Sequence, residues 1–242
     1  MRELFDNLFN DIKFFYEKRV KDNPDDWGYE FLYNPEAACR KETKILLLTI
    51  NPQAGKKRPP VDTPCPEEHA FFLQDNEFKI KNQLFCLFRE LKKVIEPSSE
   101  DSEVNITNFA SNHVIASSAV PFRTKSSGEI TTDMWMFSRY LWSRIFKEWE
   151  PVLIIAVGYE AYNFVGAYFG FQYGALPEIP TNTEKAIVPR WIQFEKNDRT
   201  HITLAGFPHF SRYPAFTKNY DPSSPACSFL REVCGNSLLQ QQ

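Results

Sequence analysis

Residues 45–52 have the sequence ILLLTINP, an apolar run of strand length that ends abruptly at Asn51 and Pro52. Because consecutive positions are apolar, both faces of this strand would be buried, which is typical of a parallel sheet. A second apolar run, at 151–157, ends at Gly158. Helix-like patterns separate such runs along the chain. This alternation predicts a three-layer α/β/α sandwich around a mainly parallel central sheet.

The spacing of apolar residues predicts the remaining elements. Helices are expected at 2–19, 79–94, 133–149, 159–168 and 228–234. Extended segments are expected at 104–110, 113–120, 191–194 and 201–205, and loops at 20–43, 51–77 and 170–190. The sequence has no internal repeat or clear boundary. We therefore predict one domain over 1–242, with a core at about 44–213 and an additional N-terminal helix at 2–19.

The composition excludes several classes of protein. A chain of 242 residues, 43% of them apolar, is long enough to bury a sizeable core. The net charge of -3 argues against a globally basic nucleic-acid binder, but a local basic rim would still suffice for DNA. Aromatic residues make up 15% of the chain, and we expect most of them in the core.

The cysteines indicate a reduced protein with free thiols. They are Cys39, Cys65, Cys86, Cys227 and Cys234, and none forms a Cys-x-x-Cys pair. The N-terminus has no secretory pattern, so we expect an intracellular, cytoplasmic location. The lack of close ligand pairs argues against zinc or iron–sulfur sites, and no apolar run is long enough to span a bilayer. We predict no metal, no cofactor and no membrane partner.

Four of the predicted strands end in polar or conformationally special residues: Asn51, Ser118, Gly158 and His209. Taken singly, each has an ordinary explanation, since Asn-Pro is a common turn and a lone histidine is more often structural. In open α/β sheets, however, ligands bind beyond the carboxyl ends of the strands. If these strands are parallel, the four ends form one crevice.

The same residues resemble motifs of the uracil-DNA glycosylase superfamily. Residues 46–52 are similar to its first motif in the Asn-bearing form, and PHFSR at 208–212 is similar to its His-containing motif. Between them, AVPFRT at 119–124 follows a strand where the family recognises the base. IIAVGYEA at 154–161 resembles the penultimate strand–glycine–helix element. Order and approximate spacing agree over about 44–213.

The resemblance implies a DNA glycosylase that hydrolyses the N-glycosidic bond of uracil or a related damaged base in base excision repair. Asn51 would position the water, and His209 would donate to the base carbonyl, where a preorganised donor stabilises the developing anion. The implied base-binding residues are Gln53, Phe71, Phe72, Ser118 and Ser211. The expected partner is DNA containing uracil or a damaged base, bound by a monomeric, cytoplasmic or nucleoid-associated protein.

DNA contact requires local positive charge and residues that can enter the base stack. The candidates flank the predicted crevice: Lys56, Lys57, Arg58, Arg123, Phe210, Arg212 and Tyr213. The basic run could equally be an ordinary solvated loop, and Phe71 and Phe72 could equally belong to the core.

Two alternatives stay open. Thr49, Ser118 and Phe210 differ from the residues usual in the family, which favours a non-catalytic nucleic-acid or base-binding protein on the same fold. A hydrolase or transferase acting on free nucleosides is the other alternative. It predicts weak DNA binding that is insensitive to salt, whereas binding dominated by phosphate contacts falls steeply as salt rises.

Overall fold

The structure is a computed structural model that describes residues 1–19, 28–52, 60–72, 81–170, 190–197, 200–210, 215–216 and 220–238. In these ranges six α-helices flank a five-stranded sheet. The strands are β1 (Ile45–Thr49), β2 (Val114–Ser118), β3 (Leu153–Val157), β4 (Arg190–Asn197) and β5 (Thr200–Phe207). The helices are α1 (Arg2–Arg19), α2 (Lys81–Ile95), α3 (Glu103–His113), α4 (Thr132–Glu148), α5 (Tyr159–Tyr168) and α6 (Pro225–Ser237).

The sheet has the strand order β2-β1-β3-β5-β4. The first four of these strands run parallel, and β4 pairs antiparallel with β5. Every residue of β1, β2 and β3 is buried, which is why their sequences are apolar or small without alternation. The predicted mainly parallel sheet is confirmed, with β4 as an antiparallel strand at its edge.

Helices pack on both faces of the sheet. Leu46 and Leu48 of β1 belong to a cluster with α1, α4 and α5, whereas Ile45 and Leu47 belong to a cluster with α2, α3 and α6. Successive strand residues point to opposite faces, so each face of β1 joins a different helical layer. In the described part of the chain, no helix is long and apolar enough to cross a membrane.

One predicted element is wrong. The segment 104–110 was expected to be extended, but it lies in α3. The Ser102 side chain caps this helix by accepting a hydrogen bond from the backbone N–H of Asn105. Burial of Ile106 and Phe109 among the residues that pack with α2 then outweighs the weak intrinsic helix preference of the sequence.

The other predicted helices and strands agree with the structure apart from their ends. The last helix begins at Pro225 rather than near 228, because Ser224 caps it and proline is well suited to the first turn. Most of the predicted loop at 170–190 lies outside the described residues, as does much of the loop at 51–77.

A short segment lies beside β2, at the edge of the sheet. The backbone N–H of Tyr33 donates to the carbonyl of Ala116 at 2.8 Å, and Leu32 forms an antiparallel bridge with Ser117. The side chain of Asn34 accepts a hydrogen bond from the backbone N–H of Ala116 at 2.7 Å. Both main-chain groups of Ala116 are therefore satisfied from outside the named strands.

The direction of strand order reverses between β1 and β3, which makes this position the topological switch point of the sheet. From β1 the chain leaves through α2 and α3 on one face to reach β2, whereas β3 leads into α5 on the other face. Chain connections that leave neighbouring strands toward opposite faces open a gap at their carboxyl ends, where ligands bind in open α/β sheets. Asn51 and Gly158 follow β1 and β3 at this position.

Candidate active site

His209 lies against the turn that follows β3. Val157 of β3 is opposite Phe207 of β5, and the backbone N–H of Gly158 donates to the Phe207 carbonyl at 2.8 Å. A Cβ atom built on Gly158 would lie 3.7 Å from Cδ2 of His209. The turn needs glycine because its φ is +106°, a conformation that side chains rarely adopt. The parallel pairing of β3 and β5 therefore brings the imidazole to the end of the sheet.

Asn51 is half-buried at the end of β1, and its amide is held in one orientation. Its Nδ2 donates to Oγ1 of Thr124 at 2.9 Å, and that hydroxyl donates to the carbonyl of Ser126 at 2.7 Å. A threonine hydroxyl has a single proton, so Oγ1 can only accept from Asn51. The amide oxygen is therefore directed away from Thr124, where it can accept a hydrogen bond from a water molecule.

The loop after β2 connects Asn51 with the start of α5. Ser127 Oγ donates to Oε1 of Glu160 at 3.2 Å, and the other Glu160 oxygen lies 3.8 Å from a Cβ built on Gly158. Thr124, Ser127 and Glu160 thus form a series of contacts that runs from Asn51 to the turn beside His209. Sequence reasoning missed their role: Thr124 and Glu160 were visible only as parts of AVPFRT and IIAVGYEA, and no signal marked Ser127.

Ser118, the predicted base reader, is buried and already has a protein partner. Its hydroxyl forms a short hydrogen bond with the hydroxyl of Tyr33. Burial raises the pKa of Tyr33 well above its usual value, so this phenol is neutral at ordinary pH. A base that bonded to Ser118 would have to share it with Tyr33, and a role for Ser118 in base recognition stays a prediction.

Arg123 is placed in an internal ion pair rather than on a DNA-facing surface. Its guanidinium donates to Oε2 of Glu30 at 2.6 Å, and its backbone N–H donates to the carbonyl of Gly28 at 2.8 Å. Separating a buried pair leaves one charge without compensation, which costs several kcal/mol, about 3–5 in measured cases. As placed, Arg123 fixes the segment before β1, and a contact between Arg123 and a phosphate stays a prediction.

Two of the candidate aromatic residues are core residues as placed. Phe71 is 1% exposed and packs against Tyr33 with ring centroids 4.8 Å apart. Phe210 is 2% exposed and packs against Phe207 at 5.6 Å, so it does not lie on the surface where a DNA wedge would be needed. Phe72 is partly exposed, at the margin of the same cluster.

The remaining candidates belong to two short segments of the sequence. Gln53, Lys56, Lys57, Arg58, Ser211, Arg212 and Tyr213 lie outside the described residues. They belong to the segments 53–59 and 211–214, which directly follow Pro52 and Phe210 along the chain. Their contacts with base or phosphate stay predictions.

No protein-family model matches the chain, and a search of curated proteins finds no match. A functional assignment therefore depends on the chemistry of the residues at the carboxyl ends of the strands.

Proposed function

We propose that the protein is a DNA glycosylase that hydrolyses the N-glycosidic bond of uracil or a related damaged base in DNA. Its fold would be the uracil-DNA glycosylase-like form of the α/β/α sandwich. The observation that carries the proposal is the placement of Asn51 and His209 at the same end of the sheet. They follow β1 and β5, on the two sides of β3, with the loop after β2 linking Asn51 to the turn beside His209.

The two side chains suit the two charges that develop in this reaction. Breaking the bond leaves negative charge on the departing base and positive charge on the sugar. A ring N–H of His209 would donate to the base carbonyl, and such a preorganised donor lowers a barrier by roughly 3–4 kcal/mol. The amide oxygen of Asn51 would orient the water that adds to the sugar, and an amide serves here because the cationic sugar needs no strong nucleophile.

The base must leave the duplex before it can reach these groups, at a cost of a few kcal/mol that a mispaired or single-stranded base avoids. In this proposal the DNA backbone is held by basic residues close in sequence to Asn51 and His209, namely Lys56, Lys57, Arg58 and Arg212. The partner is one extruded base within DNA, so the negative net charge of the whole chain is no obstacle.

A base-release assay tests the proposal. Single- and double-stranded oligonucleotides that carry a panel of base lesions are incubated with wild type, Asn51→Ala, His209→Ala and a surface control. Phe14→Ala is a suitable control because Phe14 is 68% exposed on α1. We expect release of one class of base, unchanged in the control and reduced about 10²–10³-fold in His209→Ala. Absence of release from every lesion by wild type refutes the proposal.

A non-catalytic nucleic-acid or base-binding protein on the same fold is the second candidate, and Thr49, Ser118 and Phe210, which differ from the residues usual in the family, favour it. This candidate predicts DNA binding that survives His209→Ala while wild type releases no base. Binding of free nucleosides, with DNA affinity that is weak and independent of salt, would instead indicate a nucleoside-processing enzyme.

A further inference from the structure

Two cysteines from distant parts of the sequence lie side by side. Cys39 follows a short 3-10 helix (Glu36–Ala38), and Cys65 lies in the loop after β1. Their sulfurs are 3.6 Å apart, and the residues keep 6% and 8% of their surface exposed. A disulfide requires a sulfur separation of about 2.05 Å, so the two atoms need to approach by only about 1.5 Å. Both thiols are free in this structure.

The surroundings distinguish the two thiols. The hydrogen bond between the two sulfurs lowers the pKa of Cys39, and Asn34 and the positive charge of Arg2 act in the same direction. Burial and Glu36 oppose this shift. The same hydrogen bond, together with burial, raises the pKa of Cys65 instead. The Asn34 amide faces the sulfur of Cys39, and because the thiolate is the reactive form, we expect Cys39 to be the nucleophile of the pair and Cys65 its partner.

Asn34 is held in place for this contact. Its Nδ2 lies 3.6 Å from the Cys39 sulfur, while its Oδ1 accepts from the backbone N–H of Ala116 in β2. The donor that stabilises a thiolate at Cys39 is therefore anchored to the sheet rather than carried by a free side chain.

We propose that Cys39 and Cys65 form a peroxide-sensitive dithiol, which closes into an intramolecular disulfide and fastens the loop after β1 to the turn at 36–39. The Cys39 thiolate attacks one oxygen of hydrogen peroxide, the O–O bond breaks, and hydroxide leaves and is protonated to water. Cys65 then attacks the resulting sulfenic acid, losing its proton as a second water departs. Two thiols lose two electrons and two protons, and one peroxide becomes two waters. The small size of peroxide matches the limited exposure of both sulfurs.

The disulfide would restrain a loop that is already joined to the segment before β1. The backbone N–H of Leu32 donates to the carbonyl of Pro64 at 3.2 Å, and that of Ala70 donates to the carbonyl of Tyr33 at 2.6 Å. Tyr33 also bonds to Ser118 at the end of β2. The disulfide would therefore close a covalent ring formed by residues 39–65, and Asn51 lies within that ring. This inference does not depend on the proposed glycosylase activity.

The test uses the reduced full-length protein exposed to increasing hydrogen peroxide. Thiols are counted after denaturation, and cross-linked peptides are mapped by mass spectrometry. We expect two of the five thiols to disappear first, with a single link between Cys39 and Cys65 that a dithiol reductant reverses. The oxidised protein should melt roughly 5–10 °C higher, because the link closes a loop of more than twenty residues.

Variants separate this pair from general oxidation. Cys39→Ala should abolish the fast loss of thiols, whereas Cys86→Ala, which removes another buried cysteine, should keep it. Uniform oxidation of all five thiols, or a dominant link between other cysteines, overturns the proposal. Mapping of the wild type decides between these results even if Cys39→Ala does not fold.

Discussion

Replacing Gly158 by alanine should destabilise the fold by about 1–3 kcal/mol, through the backbone rather than through a steric clash. Gly158 has φ +106° and ψ 147°, a region occupied almost only by glycine. The added Cβ would meet its nearest neighbour, Cδ2 of His209, at 3.7 Å, which is an ordinary van der Waals distance. The cost therefore comes from the strained dihedral angles.

The measurement is urea denaturation together with thermal melting. For a chain of this length, 1–3 kcal/mol corresponds to a loss of roughly 2–12 °C in Tm. The chain also offers two controls. Gly170 has φ +89°, and a Cβ built on it meets no atom of the described residues within 4 Å, so Gly170→Ala should show strain without any change near His209. Gly235 lies within α6, where a built Cβ likewise meets nothing in the described part of the chain, so Gly235→Ala should stabilise the protein by about 0.5–1 kcal/mol.

Base-release measurements on the same variants show whether backbone strain at Gly158 also affects the candidate site. If the turn relaxes in Gly158→Ala, the backbone that supports His209 moves, and we expect activity to fall in this variant but not in Gly170→Ala. A Gly158→Ala protein as stable as wild type, or a Gly235→Ala protein destabilised as much, would refute the argument from backbone conformation.

Three further changes probe separate contacts. Thr124→Val removes the acceptor that orients the Asn51 amide, so base release should fall about tenfold, while Thr124→Ser should restore it. Gln83 makes two hydrogen bonds with the backbone of Phe216, at 2.7 and 2.8 Å. Gln83→Leu should therefore lower the free energy of unfolding by about 1–3 kcal/mol. An unchanged urea midpoint would contradict this. Burial lowers the pKa of His69 from 6.5 to about 3, so the unfolded chain takes up a proton first as pH falls through this interval. Stability should therefore decline below about pH 6.5, by at most about 1.4 kcal/mol per pH unit from this group, and the decline should be shallower in His69→Phe.

The inner strands were predictable from sequence because a strand that is buried on both faces has apolar residues at nearly every position. Residues 45–49 and 153–157 are apolar at nearly every position, and a short run of this kind is typical of an inner strand. The helix α3 was not predictable in the same way. Its residues have weak intrinsic preferences, and its stability comes from a cap and from packing against residues distant in sequence.

The residues of the candidate site fall into the same two groups, those next to a recognisable strand and those defined by contacts distant in sequence. Asn51 and His209 could be proposed because each directly follows a recognisable strand. The pairing of Arg123 with Glu30 joins residues 93 positions apart, and periodicity does not reveal which side chains meet over such a separation. The same holds for Phe210, whose burial depends on how the chain after β5 turns back onto Phe207.

The segment beside β2 also affects how the protein behaves at high concentration. An uncovered outer strand presents a row of unpaired backbone groups to which a second chain can add, a common route to aggregation. Here Tyr33 and the side chain of Asn34 saturate the donor and acceptor of Ala116, and the bridge from Leu32 to Ser117 continues the pairing. A foreign strand would have to displace these contacts first. That side of the sheet is thereby protected against growth into larger assemblies, by residues that also adjoin the candidate site.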